Sequence, residues 1–490
     1  MKALLIALTA AVLSATSLTA QSLTLGPDIP VATAGDQTRV AASPGGGFAV
    51  AWRDNGVFLR AFSSAGTPLS GAVQLSTQGA TLSALYPRIA ALAAGGYVVA
   101  WAYVEDVPFE PVHQPMVGVR IVGASGQPAG PEILLPAGTS YPDVAAYPTG
   151  GFLLTWTSQQ AVGTFARRFD DHGSPVSGEM AIPGETWEQL ATLPGGGFVL
   201  ARTRYLPVPG WDSDVLFQIF GPDGLPAGPE VQVNGTDLPD HIAPQISADA
   251  TGHFAIAWRA WDNQRGTPRQ IRARVFGPDG TAQTPEITVR TATPQEAVDP
   301  QAVALRADGS FLVLWFAGAK VDLFARWFRA DGVPAGEAFP IQDGTGYQLD
   351  GDAEPTADGW IVTWTNGASL SNGPHVRRLG LPCGGGLCLN GNRFRAEVTW
   401  RVPATGAGGI GNPVPLTVDT GAFWFFQPSN AELVLKVLDG RGLNGHFWVF
   451  YGSLTNVEFD LTVTDTVTGE QRTYHNPAGT MASRADTTAF

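Results

Sequence analysis

The chain has 490 residues and a formal net charge of −14 at pH 7, without clusters of basic residues. This charge argues against nucleic acids and anionic membrane surfaces as partners. Only 15% of the residues are charged, while 60 are glycine and 38 are proline. This composition excludes a disordered or coiled-coil chain and favours a turn-rich all-β protein.

Residues 1–20 are predicted to be a secretory signal peptide. Lys2 supplies the positive start, residues 4–13 the apolar segment and residues 17–20 a cleavage region with small side chains. The apolar segment is too short to cross a bilayer, and no later segment reaches twenty apolar residues. We therefore expect a secreted, periplasmic or extracellular protein with no membrane span.

A repeat dominates the rest of the sequence: after a glycine turn comes an aromatic residue, followed four positions later by tryptophan. Successive first aromatics lie 49, 55, 46, 56, 57 and 49 residues apart, a spacing typical of β-propellers and similar arrays. Each repeat is predicted to contain four antiparallel strands, because two apolar runs flank each glycine turn and two more flank a Pro-Asp-Gly type of turn. The seven pairs are Phe48/Trp52, Tyr97/Trp101, Phe152/Trp156, Phe198/Arg202, Phe254/Trp258, Phe311/Trp315 and Trp360/Trp364.

The last repeat lacks a fourth strand, and residues 22–33 match the missing segment. We therefore predict a seven-bladed β-propeller over residues 21–382, closed by an N-terminal strand. After a linker at 383–388 the rhythm changes to short alternating strands, which predicts an antiparallel β-sandwich over 389–490. The aromatic segments 423–426 and 447–451 are expected to supply its central strands.

Two stretches carry a resemblance to known proteins. Residues 306–315 and 328–337 resemble the "ALADGGFVVTW" repeats of bacterial secreted and surface proteins, and the likeness extends over about 360 residues. Residues 439–452 are similar to a recurrent C-terminal module of exported bacterial proteins. The resemblance implies an extracellular protein but no defined reaction.

Cys383 and Cys388 enclose a Gly-Gly-Gly-Leu segment in the linker. In an oxidising compartment this spacing favours a small-loop disulfide that pins the junction. Zinc binding is the alternative, although two thiolates do not complete a zinc site. The Asp-Gly pairs match turns and not calcium loops, so we expect no metal and no cofactor.

Arginine recurs on the predicted third strands, at positions 60, 120, 167, 274, 326 and 377. The fourth repeat has lost both this arginine, replaced by Gln218, and the tryptophan, replaced by Arg202. Joint loss suggests that the two side chains touch across adjacent strands as a cation–π pair. The arginines are therefore assigned to the framework and not to an anion site.

The connections between second and third strands vary in length, and we expect a ligand to bind on the face that they share. Tryptophan beside carboxylates suits stacking on a sugar and recognition of its hydroxyls, although the tryptophans also suit a role in holding their own loops. The candidate ligand-binding residues are Glu105, Asp106, His113, Tyr205, Trp211, Asp212, Asp214, Trp261, Asp262 and Arg265.

The sequence favours a non-enzymatic binding or adhesion protein, with an extracellular glycan or protein surface as partner. The first alternative is a glycoside hydrolase or lyase that uses acids of the same loops, with Asp212 and Asp262 as the best pair. The second is a structural or sorting module. No nucleophile elbow, phosphate loop or zinc-binding helix motif is present, so whether the protein is an enzyme stays open.

Overall fold

The computed structural model describes residues 23–490 except 65, 78–81, 106–114, 159–162, 184–187, 207–211, 236, 263–264, 294–295, 319–321, 343–346, 357–358, 368–372, 382–385, 391–392, 418, 428–429 and 466–467. The described chain is almost entirely antiparallel β-strand. Its helical segments are a single turn at Pro194–Gly196 and the four-residue helix α1 (Arg441–Asn444). Within this part of the chain no helix has the length and apolarity needed to cross a membrane.

The strands before residue 381 form antiparallel units that follow the seven repeats. Two short strands come first, β1 (Thr24–Leu25) and β2 (Ile29–Pro30). The first three repeats contain β3 (Asp36–Ala42), β4 (Phe48–Arg53), β5 (Val57–Phe62) and β6 (Val73–Gln74); β7 (Leu82–Ala91), β8 (Tyr97–Glu105), β9 (Met116–Val122) and β10 (Ile133–Leu134); and β11 (Thr139–Ala146), β12 (Phe152–Ser158), β13 (Thr164–Phe169) and β14 (Met180–Ile182).

The remaining repeats have the same order of strands. They contain β15 (Gln189–Thr192), β16 (Phe198–Tyr205), β17 (Ser213–Phe220) and β18 (Val231–Gln232); β19 (Asp240–Ala248), β20 (Phe254–Trp261), β21 (Gln270–Phe276) and β22 (Ile287–Thr291); β23 (Val298–Leu305), β24 (Phe311–Ala317), β25 (Asp322–Phe328) and β26 (Phe339–Pro340); and β27 (Tyr347–Thr356), β28 (Gly359–Gly367) and β29 (Pro374–Gly380). A single parallel pairing, Ser213 with Asp240, joins the fourth and fifth repeats into one eight-stranded sheet.

In five repeats the first aromatic residue stacks on the phenylalanine that ends the third strand, whereas Tyr97 and Trp360 of the second and seventh repeats lie opposite an aliphatic residue. Phe48 and Phe62 lie opposite each other in register, with ring centroids 4.9 Å apart and both side chains buried. Phe311 and Phe328 repeat this arrangement at 4.9 Å. A stacked pair contributes about 0.5–1.5 kcal/mol beyond its buried area, so this aromatic position adds to the core of each of these five repeats.

The N-terminal segment completes the last repeat, as the sequence predicted. Ile29 pairs with Val376 and Pro30 with His375, which places β1 and β2 on the outer edge of β29. Val31 packs in one buried cluster with residues of the first repeat and with Val376 of the seventh. Segments 347 residues apart in the sequence therefore share a sheet and a core.

The recurrent arginines do belong to the framework, but the predicted ring contact was wrong in most repeats. Arg274 lies 5.7 Å from the ring of Phe276, two residues along its own strand, and not over Trp258. The same phenylalanine contact occurs at Arg60, Arg167 and Arg326. Only in the seventh repeat do the described contacts place the arginine, Arg377, over the repeat tryptophan, Trp364.

Five of these arginines bridge neighbouring repeats through carbonyl groups, and the described bond of Arg167 goes to Ser177 O in its own repeat. Arg274 donates from Nε to Thr284 O (3.2 Å) and from Nη1 to Val233 O of the preceding repeat (3.1 Å). Arg60 and Arg120 make the equivalent bonds to Val31 O and Leu75 O. The guanidinium fork explains why arginine recurs, because it reaches two acceptors in fixed directions.

The exceptional fourth repeat replaces the tryptophan with an ion pair. Arg202 is buried, with its side chain 7% exposed, and its Nη2 lies 2.7 Å from Glu230 Oε1. Gln218, at the position of the lost arginine, donates to Gly228 O (3.1 Å).

Residues from 387 onward form two antiparallel sheets around one core. The first contains β30 (Leu387–Leu389), β31 (Phe394–Val402), β32 (Ala407–Ile410), β37 (Glu458–Asp465) and β38 (Gln471–Asn476). The second has the order β33 (Asn412–Pro415), β34 (Thr420–Trp424), β35 (Leu433–Asp439), β36 (Phe447–Ser453) and β39 (Ser483–Asp486). The aromatic segment 447–451 lies in interior strand β36, as predicted. Of the segment 423–426, Phe423 and Trp424 lie in interior strand β34, and residues 425–426 follow its end. Both sheets contribute to a single buried cluster.

Of the two cysteines, Cys388 lies on β30. Cys383 lies outside the described residues, so the disulfide stays a prediction.

Candidate functional site

The first strands of the repeats carry an unusual backbone feature at a fixed position. Five non-glycine residues with positive φ lie 10 or 11 positions before the first aromatic of their repeats. These rim residues are Gln37 (φ 53), Tyr86 (φ 56), Tyr141 (φ 48), Ala243 (φ 55) and Asp350 (φ 55). Left-handed backbone is unfavourable for such residues, and it concentrates where a structure uses it to aim a side chain.

A β-bulge explains this conformation. The pairing of first and second strands shifts between Leu85 and Arg88, between Ser140 and Asp143, and at the same place in four other repeats. A bulge adds an unpaired residue and redirects the side chain there. The buried prolines Pro87 and Pro142 follow the two tyrosines, where the missing N–H costs no ladder hydrogen bond.

Hydrogen bonds connect the rim across repeats. The backbone N–H of Tyr86 donates to Gln37 Oε1 (2.7 Å), and the backbone N–H of Gln37 donates to Asp350 Oδ2 (2.8 Å). The seventh, first and second repeats are thus fixed relative to one another at this edge, which pre-organises Tyr86.

Tyr86 and Tyr141 form an exposed aromatic pair. Their ring centroids are 6.0 Å apart with an interplanar angle of 33°, and the residues are 42% and 67% exposed. Both line a pocket of about 330 Å³, which we call the tyrosine cleft. Its other walls include Arg88, Asp143, Trp156, Glu188 and Gln189.

The polar groups of the tyrosine cleft are held in place by other contacts. Glu188 accepts hydrogen bonds from the backbone N–H of Thr203 (2.9 Å) and from its hydroxyl (3.4 Å). Arg88 lies 3.5 Å from Asp143. The cleft therefore combines apolar ring faces with fixed donors and acceptors, an arrangement suited to a polyhydroxylated ligand.

A second cavity, of about 430 Å³, is enclosed by the first strands of all seven repeats. Seven polar side chains, one from the first strand of each repeat, lie on its wall, and five of them come two residues after a rim residue. We call these seven residues the girdle: Arg39, Arg88, Asp143, Gln189, Gln245, Gln301 and Asp352. Arg88, Asp143 and Gln189 also line the tyrosine cleft, so the two cavities share a wall.

Burial perturbs the charged groups of this central cavity. It raises the pKa of both Asp143 and Asp352, although the guanidinium groups of Arg88 and Arg39 oppose the rise. Burial raises the pKa of Glu354 to about 8, and the neighbouring charge of Asp352 adds to the effect. Glu354 is therefore largely protonated at neutral pH, and the cavity carries less negative charge than its composition suggests.

None of the predicted ligand-binding residues that the structure describes lines the tyrosine cleft. Asp106, His113 and Trp211 lie outside the described residues, and Glu105 is described only as the last residue of β8. Tyr205 is 62% exposed at the end of β16. Asp212 follows as a half-buried residue whose carbonyl accepts from Leu206 N (2.8 Å).

The other predicted residues are engaged in local contacts. Asp214 is buried and bonds Arg204 (2.6 Å), Gln232 (2.9 Å) and Asn234 (3.1 Å). Asp262 accepts from the backbone N–H of Arg265 (2.8 Å) within its own turn. Trp261 lies beneath Arg259, 4.9 Å from the guanidinium carbon.

Sequence reasoning missed the tyrosine pair. The available signal was an X-Pro step 11 residues before the repeat aromatic, seen at Tyr86, Tyr141 and Ala243. Trp187, which lies outside the described residues, has the same spacing from Phe198.

The residues that the structure describes contain no group of three or more His, Cys, Asp or Glu side chains placed to hold a metal ion.

In the C-terminal sheets, the polar residues of the segment at 439–446 form ion pairs and hydrogen bonds with nearby side chains and with the end of the chain. Arg441 pairs with Asp439 (2.7 Å), and Asn444 accepts from Trp448 Nε1 (2.8 Å) while donating to Thr487 O (2.7 Å). These contacts hold a turn and the chain end together.

No family model matches the sequence, and no curated protein does. Among solved structures, the chain is similar to a protein of unknown function from Dyadobacter fermentans (10% identity, TM-score 0.45), covering 74% of this chain and 99% of that one. It is similar to an ulvan lyase from a new family of polysaccharide lyases (12%, TM-score 0.45; 73% and 96% covered) and to polysaccharide lyase Uly1 (10%, TM-score 0.46; 72% and 91% covered). At these identities and TM-scores the likeness assigns neither a fold nor an activity to this chain.

Proposed function

We propose that this protein is exported and binds an extracellular glycan in the tyrosine cleft of a closed seven-bladed β-propeller, to which a C-terminal β-sandwich is attached. The architecture is supported by seven first strands around one cavity and by the pairing of β2 with β29. The shared core of the last two sheets supports the sandwich.

The observation that carries the function is the paired exposure of Tyr86 and Tyr141. Two large aromatic rings, 6.0 Å apart, stand out from the surface although burial would be favourable. Flat ring faces stack on the C–H faces of sugars, and the hydroxyls of the rings bond sugar hydroxyls. Glu188 and Gln189 on the cleft wall supply further acceptors and donors.

Substitution of the tyrosines by glycine tests the proposal without disturbing the fold. Glycine accepts the positive φ at both positions, so Tyr86→Gly and Tyr141→Gly remove the rings while keeping the backbone. Ala243→Gly makes the same backbone change at the same repeat position without removing a ring, and serves as the control.

The measurement is binding of the full chain to an array of extracellular polysaccharides, followed by calorimetry on the best ligand. We expect at least a tenfold loss of affinity for each tyrosine variant and none for Ala243→Gly. Equal binding by all three variants and the parent would refute the cleft as the glycan site.

A second function, cleavage of the bound glycan, is favoured by the chemistry of the same cleft. Tyrosine hydroxyls, a guanidinium at Arg88 and a carboxylate at Glu188 line one pocket. Elimination requires a group that removes a proton beside an acidic substituent and a cation that stabilises the resulting charge. The cleft contains both kinds of group.

Product analysis separates binding from cleavage. Hydrolysis and elimination both release reducing ends, whereas only elimination produces an unsaturated sugar with ultraviolet absorbance. If the cleft cleaves, Tyr141→Phe or Tyr86→Phe keeps binding but loses about 10²–10⁴-fold in rate, because only the hydroxyl is removed. If the loop acids cleave instead, Asp212→Asn or Asp262→Asn abolishes product while both phenylalanine variants stay active.

A further inference from the structure

Arg39 and Arg88 are neighbours in the girdle, one on the first repeat and one on the second, and both line the central cavity. A guanidinium carries five N–H donors. Among the described residues, Arg39 donates one side-chain hydrogen bond, to Thr38 O (2.7 Å), and the polar contact of Arg88 is the 3.5 Å ion pair with Asp143. Most of the donors on both side chains are thus available to a molecule in the cavity.

The flanking carboxylates engage only one of these donors, in the ion pair of Arg88 with Asp143, and backbone N–H groups also bind both acids. Asp352 accepts from Val40 N (3.0 Å) and Ala353 N (2.9 Å). Asp143 accepts from Val144 N (3.0 Å) and Leu190 N (3.1 Å). The two acids therefore hold the wall of the cavity together, and the two arginines stay under-bonded between them.

The electrostatics of the pair favour an incoming anion. Burial lowers the pKa of Arg88, and the like charge of Arg39 lowers it further. The carboxylates of Asp143 and Asp352 offset part of the repulsion between the two cations, and an oxyanion between the guanidinium groups offsets more of it. The rest of the wall carries the amides of Gln189, Gln245 and Gln301 together with two acids, Glu354 and Asp299, of which Asp299 pairs with Arg259 at 2.7 Å.

We propose that Arg39 and Arg88 form an oxyanion site that holds the carboxylate or sulfate group of the glycan bound in the tyrosine cleft. The ligand is therefore an acidic polysaccharide. This inference rests on the proposed glycan-binding function. Arg88 connects the tyrosine cleft with the central cavity, because its side chain lines both.

The experiment compares three soluble oligosaccharides on the full chain by calorimetry: a polyuronate, a sulfated neutral glycan and an uncharged glycan. The variants are Arg39→Gln and Arg88→Gln, with Arg472→Gln on the C-terminal sheets as the matched loss of one positive charge. Since removing Arg88 also removes the ion pair with Asp143, Arg39→Gln is the decisive variant. Melting temperatures establish that each variant is folded.

We expect the acidic ligands to bind at least tenfold more tightly than the uncharged one. Arg39→Gln should lower acidic-ligand affinity about 10- to 100-fold, the range for one charge-assisted contact, while Arg472→Gln changes nothing. Preference for the polyuronate identifies the group as a carboxylate, and preference for the sulfated glycan identifies a sulfate. Affinity for either should fall with added salt.

Failure of the two proposals can be told apart. Suppose that binding depends on Tyr86 and Tyr141. If acidic and uncharged glycans then bind equally, or if Arg39→Gln leaves acidic-glycan affinity unchanged, the oxyanion site is refuted, while the tyrosine cleft is still supported as the glycan site. If the tyrosine variants bind every glycan as the parent does, the cleft is refuted. Titration with inorganic sulfate then tests the arginine pair alone, and absence of Arg39-dependent binding would overturn it.

Discussion

Asp28 and His375 lie 347 residues apart, and their side chains meet with 2.7 Å between Asp28 Oδ1 and His375 Nδ1. The His375 ring also stacks on Trp364 at 5.7 Å. This contact fastens the N-terminal segment to the seventh repeat, beside the backbone pairing of Ile29 with Val376.

The first prediction concerns this seam. Asp28→Ala removes a hydrogen bond to a largely buried partner, and we expect a loss of about 1–2 kcal/mol in the free energy of unfolding. Deleting residues 23–33 should cost much more, since it opens the ring and uncovers the edge of β29. Calorimetric melting measures both, with Asp331→Ala in an exposed turn as control. Unchanged melting of the deletion variant would refute closure.

The second prediction concerns the ion pair that replaces tryptophan in the fourth repeat. Glu230→Ala leaves the buried guanidinium of Arg202 without its carboxylate, so we expect a loss of about 1–3 kcal/mol. Glu337 is the control, because its carboxylate is 90% exposed and lies 3.9 Å from Arg326. Glu337→Ala should cost less than about 0.5 kcal/mol. Chemical denaturation measures both, and equal costs would contradict the assignment.

The third prediction concerns pH. The folded-state pKa of Glu354, about 8, exceeds the ordinary value of 4.5 that applies in the unfolded chain. Between these values the folded chain keeps a proton that the unfolded chain releases, so this group lowers stability progressively as pH rises through that window. Each unit of pKa difference corresponds to about 1.4 kcal/mol.

Glu354→Gln should therefore be close to neutral at pH 4.5 and stabilising at pH 8, measured as the difference in unfolding free energy from the parent. Asp352, Asp143, Asp299, Arg39 and Arg88 line the same cavity in both proteins, so the difference between variant and parent isolates the effect of Glu354 and its coupling to Asp352. Glu179→Gln, at an exposed position just before β14, is the control for the loss of one negative charge. A pH-independent difference for Glu354→Gln would contradict the raised pKa.

The fourth prediction concerns the arginines that bridge repeats. Arg274→Met loses the bonds to Thr284 O and Val233 O, and we expect it to cost about 1–3 kcal/mol. Arg274→Gln should cost less, because a glutamine retains one carbonyl contact, as Gln218 does with Gly228 O. Denaturant unfolding ranks the two variants. If both cost the same, the bridging bonds are not the stabilising contacts.

Much of the fold could be predicted because it depends on periodic patterns. Phe311 and its counterparts recur with the repeat, and alternation along each strand decides which side chains are buried. The replacement for the missing strand was visible as well, since residues 22–33 repeat the composition of other fourth strands. For a strand as short as the two residues of β2, this similarity in composition was enough to predict the pairing.

The sequence predicted the wrong aromatic contact for the recurrent arginines, and the reason is geometric. Arg274 and Trp258 vary together between repeats, but the side chain of Arg274 extends along its own strand towards Phe276 and the preceding repeat. Joint loss in the fourth repeat indicates a common environment and not a direct contact.

By itself the sequence determined the number of repeats, the strand order within each and the origin of the closing strand, because hydrophobic period and turn chemistry are local properties of the chain. Only the tertiary structure decided where the candidate site lies. The bulge gives Tyr86 and Tyr141 left-handed backbone and turns them outward, and neighbouring repeats bring Arg39 beside Arg88. Those relationships join residues about fifty positions apart, and no local pattern specifies them.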